Sequence, residues 1–358
     1  MPRSRPALSR AVVPAAVLLV LTLLTGCGAG APAPDGTAPD STAPEGADPA
    51  TLLNCDIEVP VERPERIVAM FQNGIEAVLA LGAGDRLVGA AYLDNPLPPG
   101  LAADFHPEQD RPVYWPDEYP SREEVLRLAP DLVVSGFTGA FTREGLGTRA
   151  DLADAGADSF LFSSYCPTTD GGTQESLGAV DVTFEGVQRD LTDLGRLLGA
   201  EDRAAEINSG MQATLDDVAR RLGGVTERPR VAMLNAPSDT GELRVFGTGD
   251  VATTIIEAAG GVQAFDTIPG RQRTVSAEGL IAARPDVIVV PACCGADTGP
   301  EAAEPLAQQL RTDPALATVP AVRDGRVYTT TFAEVSPGIR NADAVAALAA
   351  RLHPDRMG

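Results

Sequence analysis

The sequence predicts an α/β protein of two lobes with mainly parallel sheets, joined by one long helix. Three observations carry this. A serine-led segment that runs into Pro-Asp and then an unbroken apolar stretch occurs twice, once in each half of the chain. Those apolar stretches do not alternate with polar residues, which marks strands covered on both faces, as in parallel sheets with helical crossovers. Between the two copies lies a proline-free stretch whose apolar residues recur at helical spacing.

The chain begins with an address. Residues 1–26 carry Arg3, Arg5 and Arg10 and then an apolar run over residues 11–24, broken only by Pro14 and Thr22. This is the pattern of a secretion signal, and it is too short for a stable membrane span. Its end, Leu24-Thr25-Gly26-Cys27, resembles the lipobox of bacterial lipoproteins. That resemblance implies cleavage before Cys27, lipidation of its sulfur, and a chain anchored to the cell membrane on its extracytoplasmic face; more than one acyl chain makes such an anchor stable. Residues 28–50 contain no Val, Ile, Leu, Met or aromatic residue. The segment 27–53 therefore reads as a disordered Gly/Ala/Pro tether with a reach of roughly 25 to 30 Å.

The repeated signature is Ser121-Arg122-Glu123-Glu124-Val125 leading to Pro130-Asp131-Leu132-Val133-Val134, then Ser276-Ala277-Glu278-Gly279-Leu280 leading to Pro285-Asp286-Val287-Ile288-Val289. Serine caps a helix, glutamate at the second position suits its positive end, proline stops it, and the β-branched run is a buried strand. Earlier strands of each half are Arg66-Ile67-Val68-Ala69-Met70 and Arg230-Val231-Ala232-Met233-Leu234. The stretch 201–222 places Ile207, Met211, Leu215, Val218 and Leu222 three and four residues apart, a continuous amphipathic helix that crosses between lobes as a strut. Val187, Leu191, Leu194 and Leu198 extend the pattern backwards as a separate helix ending near Gly199. The division expected is 54–180 for the N-terminal lobe, 181–224 for the linking helices and 225–358 for the C-terminal lobe.

Composition excludes several function classes. The formal net charge is −22, and loss of the signal would make it more negative, which argues against a nucleic-acid partner. No lysine occurs, so a Walker phosphate loop and Schiff-base or lysine-base chemistry are excluded. His106 and His353 are the two histidines, too few for a three-histidine zinc centre or a histidine-rich site for bare metal.

With Cys27 assigned to lipid, Cys55, Cys166, Cys293 and Cys294 remain, in a compartment where disulfides persist. Three pairings are possible. Cys55 and Cys166 both fall in the first half, so their disulfide would staple that lobe. Cys293 and Cys294 are adjacent and would then form a vicinal ring, remain thiols, or serve as soft ligands for a thiophilic ion.

Together, the lipobox, the tether, the paired lobes with their repeated signature, the linking helix and three further segments resemble the substrate-binding lipoproteins of ABC importers, of the iron-siderophore and cobalamin type. Those segments are Glu76-Ala77-Val78-Leu79-Ala80-Leu81-Gly82, Asp85-Arg86-Leu87-Val88-Gly89 and Ser336-Pro337-Gly338-Ile339-Arg340. The resemblance covers roughly residues 55–355. It implies two Rossmann-like lobes joined by a long backbone helix, the helical-backbone, class III periplasmic-binding architecture. It further implies a ligand held between the lobes with little closure and no catalysis, a permease partner in the cytoplasmic membrane, and a monomer. One acidic residue per lobe meets the permease in this family, and the matching positions are Glu123 and Glu278. Helix capping competes for both, although Ser121 and Glu124 already make a capping box and leave Glu123 free.

In open α/β sheets ligands bind beyond the carboxyl ends of the strands. In the first lobe this selects Phe71, Gln72 and Asn73, then Leu93, Asp94 and Asn95, then Phe137, Thr138 and Phe141. In the second it selects Asn235, the run Pro291, Ala292, Cys293 and Cys294, and Phe332, Ala333 and Glu334. Asn73-Gly74-Ile75-Glu76 also fits a helix cap with a reaching glutamate, the first role expected for Asn73. The aromatic loop Tyr114-Trp115-Pro116-Asp117-Glu118-Tyr119 is expected at the lip of the pocket, with Tyr114 and Trp115 as contacts. Arg271, Arg273 and Arg340 are candidates to clamp carboxylate, catecholate or phosphate oxygens, or else to pair with surface acids.

A ferric siderophore satisfies its metal with its own oxygens, so its receptor needs an aromatic bowl and a few charges, with no intrinsic cofactor and no protein ligand to iron. The histidine shortage suits that ligand. Cobalamin or haem fits the same bowl, and a phosphorylated cofactor precursor would lean on the arginines. A dinucleotide enzyme has only Gly247-Thr248-Gly249-Asp250-Val251-Ala252 with Asp266 beyond it, a pattern common by chance in a glycine-rich chain. A thiol-based redox or metal-handling lipoprotein using Cys293 and Cys294 is the alternative of another class.

Overall fold

The computed structural model describes residues 51–107, 112–116, 119–142, 145–166, 182–235 and 243–358. The signal, Cys27 and the tether up to residue 50 lie outside the described residues, as do Asp117 and Glu118. No helix among the described residues is long and apolar enough to cross a membrane.

The first lobe runs β1 Thr51–Asn54, β2 Ile57–Pro60, β3 Ile67–Met70, α1 Gln72–Ala80, β4 Leu87–Ala91, α2 Pro99–Ala102, β5 Val113–Trp115, α3 Arg122–Arg127, β6 Leu132–Ser135, α4 Arg149–Ala153 and β7 Asp158–Leu161. Its sheet has the order β5-β4-β3-β6-β7, parallel at every pairing. β3 and β6 are buried along their whole length, which is why their sequences are unbroken apolar runs rather than alternating ones.

β1 and β2 form an antiparallel hairpin whose two-residue turn, Cys55 (φ 52°) and Asp56 (φ 63°), has both residues in the left-handed region favoured by hairpin turns. Strand β1 begins at Thr51, with Leu52 buried, so the tether boundary drawn at residue 53 runs into a strand. Asn54 fastens the hairpin to β7: its Nδ2 donates to Leu161 O (2.9 Å), and Leu161 N donates to its Oδ1 (2.9 Å). The buried Arg149 guanidinium donates to Asn54 O, Asn54 Oδ1, Ser159 Oγ and Ser159 O. A disulfide joins Cys55 to Cys166, just beyond β7.

Two helices connect the lobes. α5, Phe184–Leu198, ends on Gly199 in a left-handed cap (φ 64°). α6, Glu201–Arg221, spans 21 residues, about 31 Å. Acids in its first turn and arginines in its last match the helix dipole. Its Ala204 and Met211 belong to the core of the first lobe, Val218 to that of the second, and Leu215 packs against both.

The second lobe runs β8 Arg230–Asn235, β9 Leu243–Phe246, α7 Val251–Ala258, β10 Val262–Gln263, β11 Gln272–Val275, α8 Ala277–Ala283, β12 Val287–Ala292, α9 Glu304–Thr312, α10 Pro320–Arg323, β13 Val327–Thr331, α11 Asn341–Leu352 and α12 Pro354–Met357. β10, β12 and β13 join β8 in a parallel sheet, and β9 and β11 add an antiparallel edge. One face packs on α7 and α11 through Ile255, Val345 and Leu348, the other on α8 and α9 through Leu280 and Leu310.

The repeated signature does the same work in both lobes. The Asp131 carboxylate accepts from the backbone N of Glu65 (2.8 Å) and Arg66 (3.0 Å), and that of Asp286 accepts from Arg230 N (2.8 Å). Arg66 in turn donates to Leu128 O and Ala129 O, and Arg230 to Ala283 O. Each helix ends through a left-handed residue directly before the proline, Ala129 (φ 46°) and Arg284 (φ 47°). The Pro-Asp pair is therefore a clasp between a helix end and the start of the neighbouring strand.

Candidate ligand-binding cleft

In the first sheet the chain moves outward from β3 through β4 to β5, then crosses to β6 on the other side. This reversal opens a crevice at the carboxyl ends of β3 and β6, where such folds hold ligands. The backbone is unusual there. Phe71 follows β3 with φ 65° and Tyr92 follows β4 with φ 66°. A side chain in this region costs about 1–2 kcal/mol, and such strain concentrates at functional sites. Hydrogen bonds hold both turns: Phe71 N donates to Ala91 O (2.8 Å) and Tyr92 N to Trp115 O (3.1 Å).

The two turns bring their rings face to face, 5.3 Å apart at an interplanar angle of 23°. Tyr119 lies 5.6 Å from Phe71 and 4.8 Å from Tyr92, Phe137 stands edge-on to Phe71 at 5.1 Å, and Tyr165 edge-on to Phe137 at 5.1 Å. Five aromatic residues thus form one connected surface at the carboxyl edge of the first sheet.

The second lobe answers with Arg271, whose guanidinium carbon sits 5.3 Å from the Phe137 ring centre and 5.2 Å from that of Tyr165. Its Nε donates to Asp250 Oδ2 (3.1 Å), and Asp250 also caps α7 by accepting from Ala252 N (3.0 Å). Burial pushes the Asp250 carboxyl up while Arg271 pulls it back, and burial raises the Tyr165 phenol. Arg271 and Asp250 remain an ion pair, with one face of the guanidinium turned to the aromatic surface.

Beside this surface, Asp94 follows β4 and faces Cys293 and Cys294, which follow β12 on the other lobe. The two cysteines are joined by a disulfide. Burial pushes the Asp94 carboxyl up to about 6.

The floor of the cleft is a buried polar lattice that ties one lobe to the other. Asn95, fully buried, donates through Nδ2 to Ala292 O (3.0 Å) and Thr298 O (2.8 Å) and accepts from Ala333 N (2.8 Å). Gln72 accepts from Asn95 N (3.0 Å) and donates to Glu76 (2.6 Å). Arg340 donates through Nε to both Glu76 carboxylate oxygens (2.9 and 3.1 Å) and through Nη2 to Pro96 O (2.7 Å). Asn73 donates to Gly136 O (3.0 Å) and Pro337 O (2.7 Å).

Several residues expected to contact ligand have other tasks. Asn73 is not the cap of α1, because the helix begins at Gln72 behind Phe71, and its amide joins the lobes instead. Gln72 and Arg340 belong to the same lattice, so Arg340 clamps the protein's own Glu76. Glu334 accepts from Thr331 N (2.9 Å) and caps the turn after β13. Phe141 is fully buried in the first core, under Arg149. Trp115 lies along the sheet, so that a Cβ added to Gly89 would come within 3.0 Å of its ring, and Tyr114 stands edge-on to Phe105 at 5.6 Å. Neither forms part of the aromatic surface described above; Tyr119, from the same loop, does. Arg273 is exposed on the edge strand β11, and Asn235 is buried at the carboxyl end of β8. Phe71, Asp94, Phe137, Arg271, Cys293 and Cys294 are the predicted residues that converge on the cleft, above a floor to which Gln72, Asn73, Asn95 and Arg340 belong.

Tyr92, Tyr165, Asp250 and Glu76 join them without having been named as ligand-site residues. Tyr92 had a usable signal, since it directly ends an apolar strand. Tyr165 and Asp250 follow segments whose side chains give no hint of direction.

Glu123 and Glu278 are exposed second residues of α3 and α8. In the first case the capping box is made by Ser121 and Glu124, with Glu124 N donating to Ser121 Oγ (3.3 Å) and Ser121 N to Glu124 Oε2 (2.8 Å). Glu278 is held below its usual range by its own backbone N–H and by Ser276. Topology puts both helix starts at the carboxyl edges of their sheets, on the side of the cleft. A recess of about 640 Å³, lined by Arg66, Asp85, Leu87 and His106, opens at the opposite edge.

A model of the periplasmic binding protein family matches residues 67–334. An uncharacterized ABC transporter substrate-binding lipoprotein of Bacillus subtilis, YvrC, is 24% identical over 223 residues, 61% of this chain. The chain spans about 60% of the length of that curated relative. Among solved structures, a periplasmic binding protein from Veillonella parvula superposes with a TM-score of 0.72 at 20% identity, covering 85% of this chain and 97% of that one. An ABC-type Fe3+-hydroxamate transport protein from Saccharomonospora viridis gives 0.65 at 23% identity, covering 85% and 99%. The haem-binding protein RhuT from Roseiflexus gives 0.61 at 24% identity, covering 82% and 99%. At these identities the likeness establishes the fold: two α/β lobes joined by a long helix.

Proposed function

The chain belongs to the periplasmic binding protein family, and from that premise we propose that it is the substrate-binding lipoprotein of an ABC importer. It is anchored through Cys27 outside the cytoplasmic membrane, takes up a ferric siderophore or similar metal chelate between its lobes, and passes it unchanged to a permease. The aromatic surface of Phe71, Tyr92, Tyr119, Phe137 and Tyr165, met by Arg271, carries this reading. Such a surface suits a chelate that is apolar around its rim and anionic at its donors: rings supply contact area, and the guanidinium supplies paired donors to hydroxamate or catecholate oxygens. The likeness to a protein named for Fe3+-hydroxamate transport supports the same ligand class.

Haem is a second reading, favoured by the tyrosines of the cleft and by the likeness to haem-binding RhuT. Haem iron needs a protein ligand. His106 lies at the opposite edge of the first sheet, and His353 sits against Gly260 O at the start of α12. The axial ligand would therefore be a tyrosine phenolate.

The test is calorimetric titration of the full chain with a ferric hydroxamate, a ferric catecholate and haem. Saturable one-to-one binding of a ferric siderophore, weakened at least tenfold by Phe71→Ala, is expected. A tenfold loss corresponds to about 1.4 kcal/mol, ordinary for one buried ring. Binding of haem alone, with the spectrum of a phenolate-ligated iron, would transfer the assignment to haem. Silence from all three would overturn the chelate reading.

A further inference from the structure

We propose that Asp94, Cys293 and Cys294 form a redox-gated site for one borderline-soft divalent cation, of the Zn2+ and Cd2+ class, bridging the two lobes. This goes beyond the chelate reading and does not depend on it. The carboxylate oxygen and the two sulfurs lie within 4.8 Å of one another. Two donors on a tetrahedral zinc stand roughly 3.5 to 3.8 Å apart, given bonds of about 2.3 Å to sulfur and 2.0 to 2.2 Å to oxygen. The donors already stand close to that spacing, and parting of the sulfurs frees both cysteine side chains to turn toward a shared ion.

Three features distinguish the cluster from a chance meeting. First, the Asp94 carboxylate is half-buried and has no hydrogen-bond or ion-pair partner among the described residues, although its sequence neighbour Asn95 is fully satisfied. A desolvated carboxylate without a counter-charge is unfavourable until a cation joins it. Second, the backbone on both sides is fixed. Gly295 N donates to Asp94 O (3.2 Å), and Asn95 reaches Ala292 O and Thr298 O, which bracket the cysteines. The lobes therefore present their ligands at a set distance. Third, Cys294 has φ 82° and is exposed, while Cys293 is half-buried, so a reductant can reach the pair. A non-glycine residue held in that region carries backbone strain of the kind that collects at functional sites.

In the oxidised form the sulfurs are bonded to each other, and neither is a thiolate ligand. A dithiol reductant opens the ring: its two thiols give up two hydrogens to the two cysteine sulfurs and close into their own disulfide. The cation then displaces one proton from each cysteine thiol, and with the Asp94 carboxylate it completes a three-ligand site with net charge −1, releasing two protons. The fourth position stays open to water or to an outside donor.

The test uses the full chain, with Cd2+ and Zn2+ as probes and a phosphine in place of the dithiol. Expected is one equivalent of Cd2+ bound to the reduced protein, with thiolate-to-cadmium charge-transfer absorption, and at least tenfold weaker binding to the air-oxidised protein. That comparison needs no substitution. Cys293→Ser/Cys294→Ser should abolish the absorption whether or not reductant is present, leaving Cys55 and Cys166 as an internal control. Asp94→Asn should weaken Cd2+ at least tenfold, and Zn2+, read by competition with a chromophoric chelator, should follow the same order. Equal binding before and after reduction, retention of the signal in the double serine variant, or an Asp94→Asn affinity within twofold of the parent would overturn the proposal. None of these readouts involves a siderophore, so failure here leaves the chelate reading standing, and failure of the chelate reading leaves this one standing.

Discussion

The link between Arg340 and Glu76 is the most demanding place to test the energetics of the cleft floor. Glu76 is buried (2% exposed), Arg340 is largely so (17%), and they come from different lobes. Replacing Arg340 with methionine leaves the stem volume in place but strands a carboxylate that only Gln72 still contacts. Loss of one partner from a buried pair costs about 3 to 5 kcal/mol, because the remaining charge cannot regain water. Replacing both, as in Glu76→Leu/Arg340→Met, removes the stranded charge, and the expected change is within about 1 kcal/mol of the parent or stabilising. Urea denaturation of the parent, the two single variants and the double variant measures the cycle directly. A single-variant cost under about 1 kcal/mol, or a double-variant loss equal to the sum of the singles, would show that the pair is wet or independent and would refute the reasoning.

Three further predictions follow from other sites. Asp190, on α5, accepts from Ser163 N and Oγ (both 3.0 Å), yet burial outweighs those bonds and pushes its carboxyl from 3.8 up to about 7. A raised carboxyl favours folding below pH 4 and loses that advantage as pH rises through 7, so this residue should contribute a fall of up to about 4 kcal/mol in stability across that window. Asp190→Asn should remove that slope in thermal melts from pH 4 to 8, and an unchanged slope would refute the assignment. The Cys55–Cys166 bond closes a sequence separation of 111 residues, so Cys55→Ala/Cys166→Ala should lower stability by about 2 to 5 kcal/mol in urea; a loss under 1 kcal/mol would show that the hairpin is held by Asn54 and Arg149 alone. Charge reversal by Glu123→Arg is expected to slow uptake by the membrane-bound system at least tenfold while ligand affinity stays within twofold, measured by transport and by calorimetry. Uptake at the parental rate would remove Glu123 from the docking surface.

The architecture was legible because it rests on short-range signals. Ser121 and Ser276, the Pro-Asp pairs and the unbroken runs after them each fix a local conformation, and the structure shows both copies clasped alike through Asp131 and Asp286. The heptad-like spacing from Ile207 to Leu222 likewise needs no partner to declare a helix. The antiparallel edge of β9 and β11 was not legible, since pairing of short edge strands is decided by neighbours far away in sequence. The cleft was legible in position but less so in membership. Picked from strand ends, Phe71, Phe137, Cys293 and Cys294 lie beside the crevice in the structure. Strand ends could not tell that Asn73 and Arg340 point to each other's lobes, a matter settled by pairings 264 residues apart. Nor could composition tell that Trp115 lies back over Gly89, because the space that receives it is created by a missing Cβ on another strand.

A floor built from Asn95, Glu76 and Arg340, with a strut that shares Leu215 between two cores, ties the lobes together at two separate places. If the chain serves as the carrier proposed above, a floor so tied predicts that the Glu123 and Glu278 carboxylates keep nearly one spacing whether the cleft is vacant or filled. Under that proposal, recognition of a loaded carrier would fall to the guest's own exposed edge and to the loops that touch it, and an empty carrier would compete for the same gate on nearly equal terms.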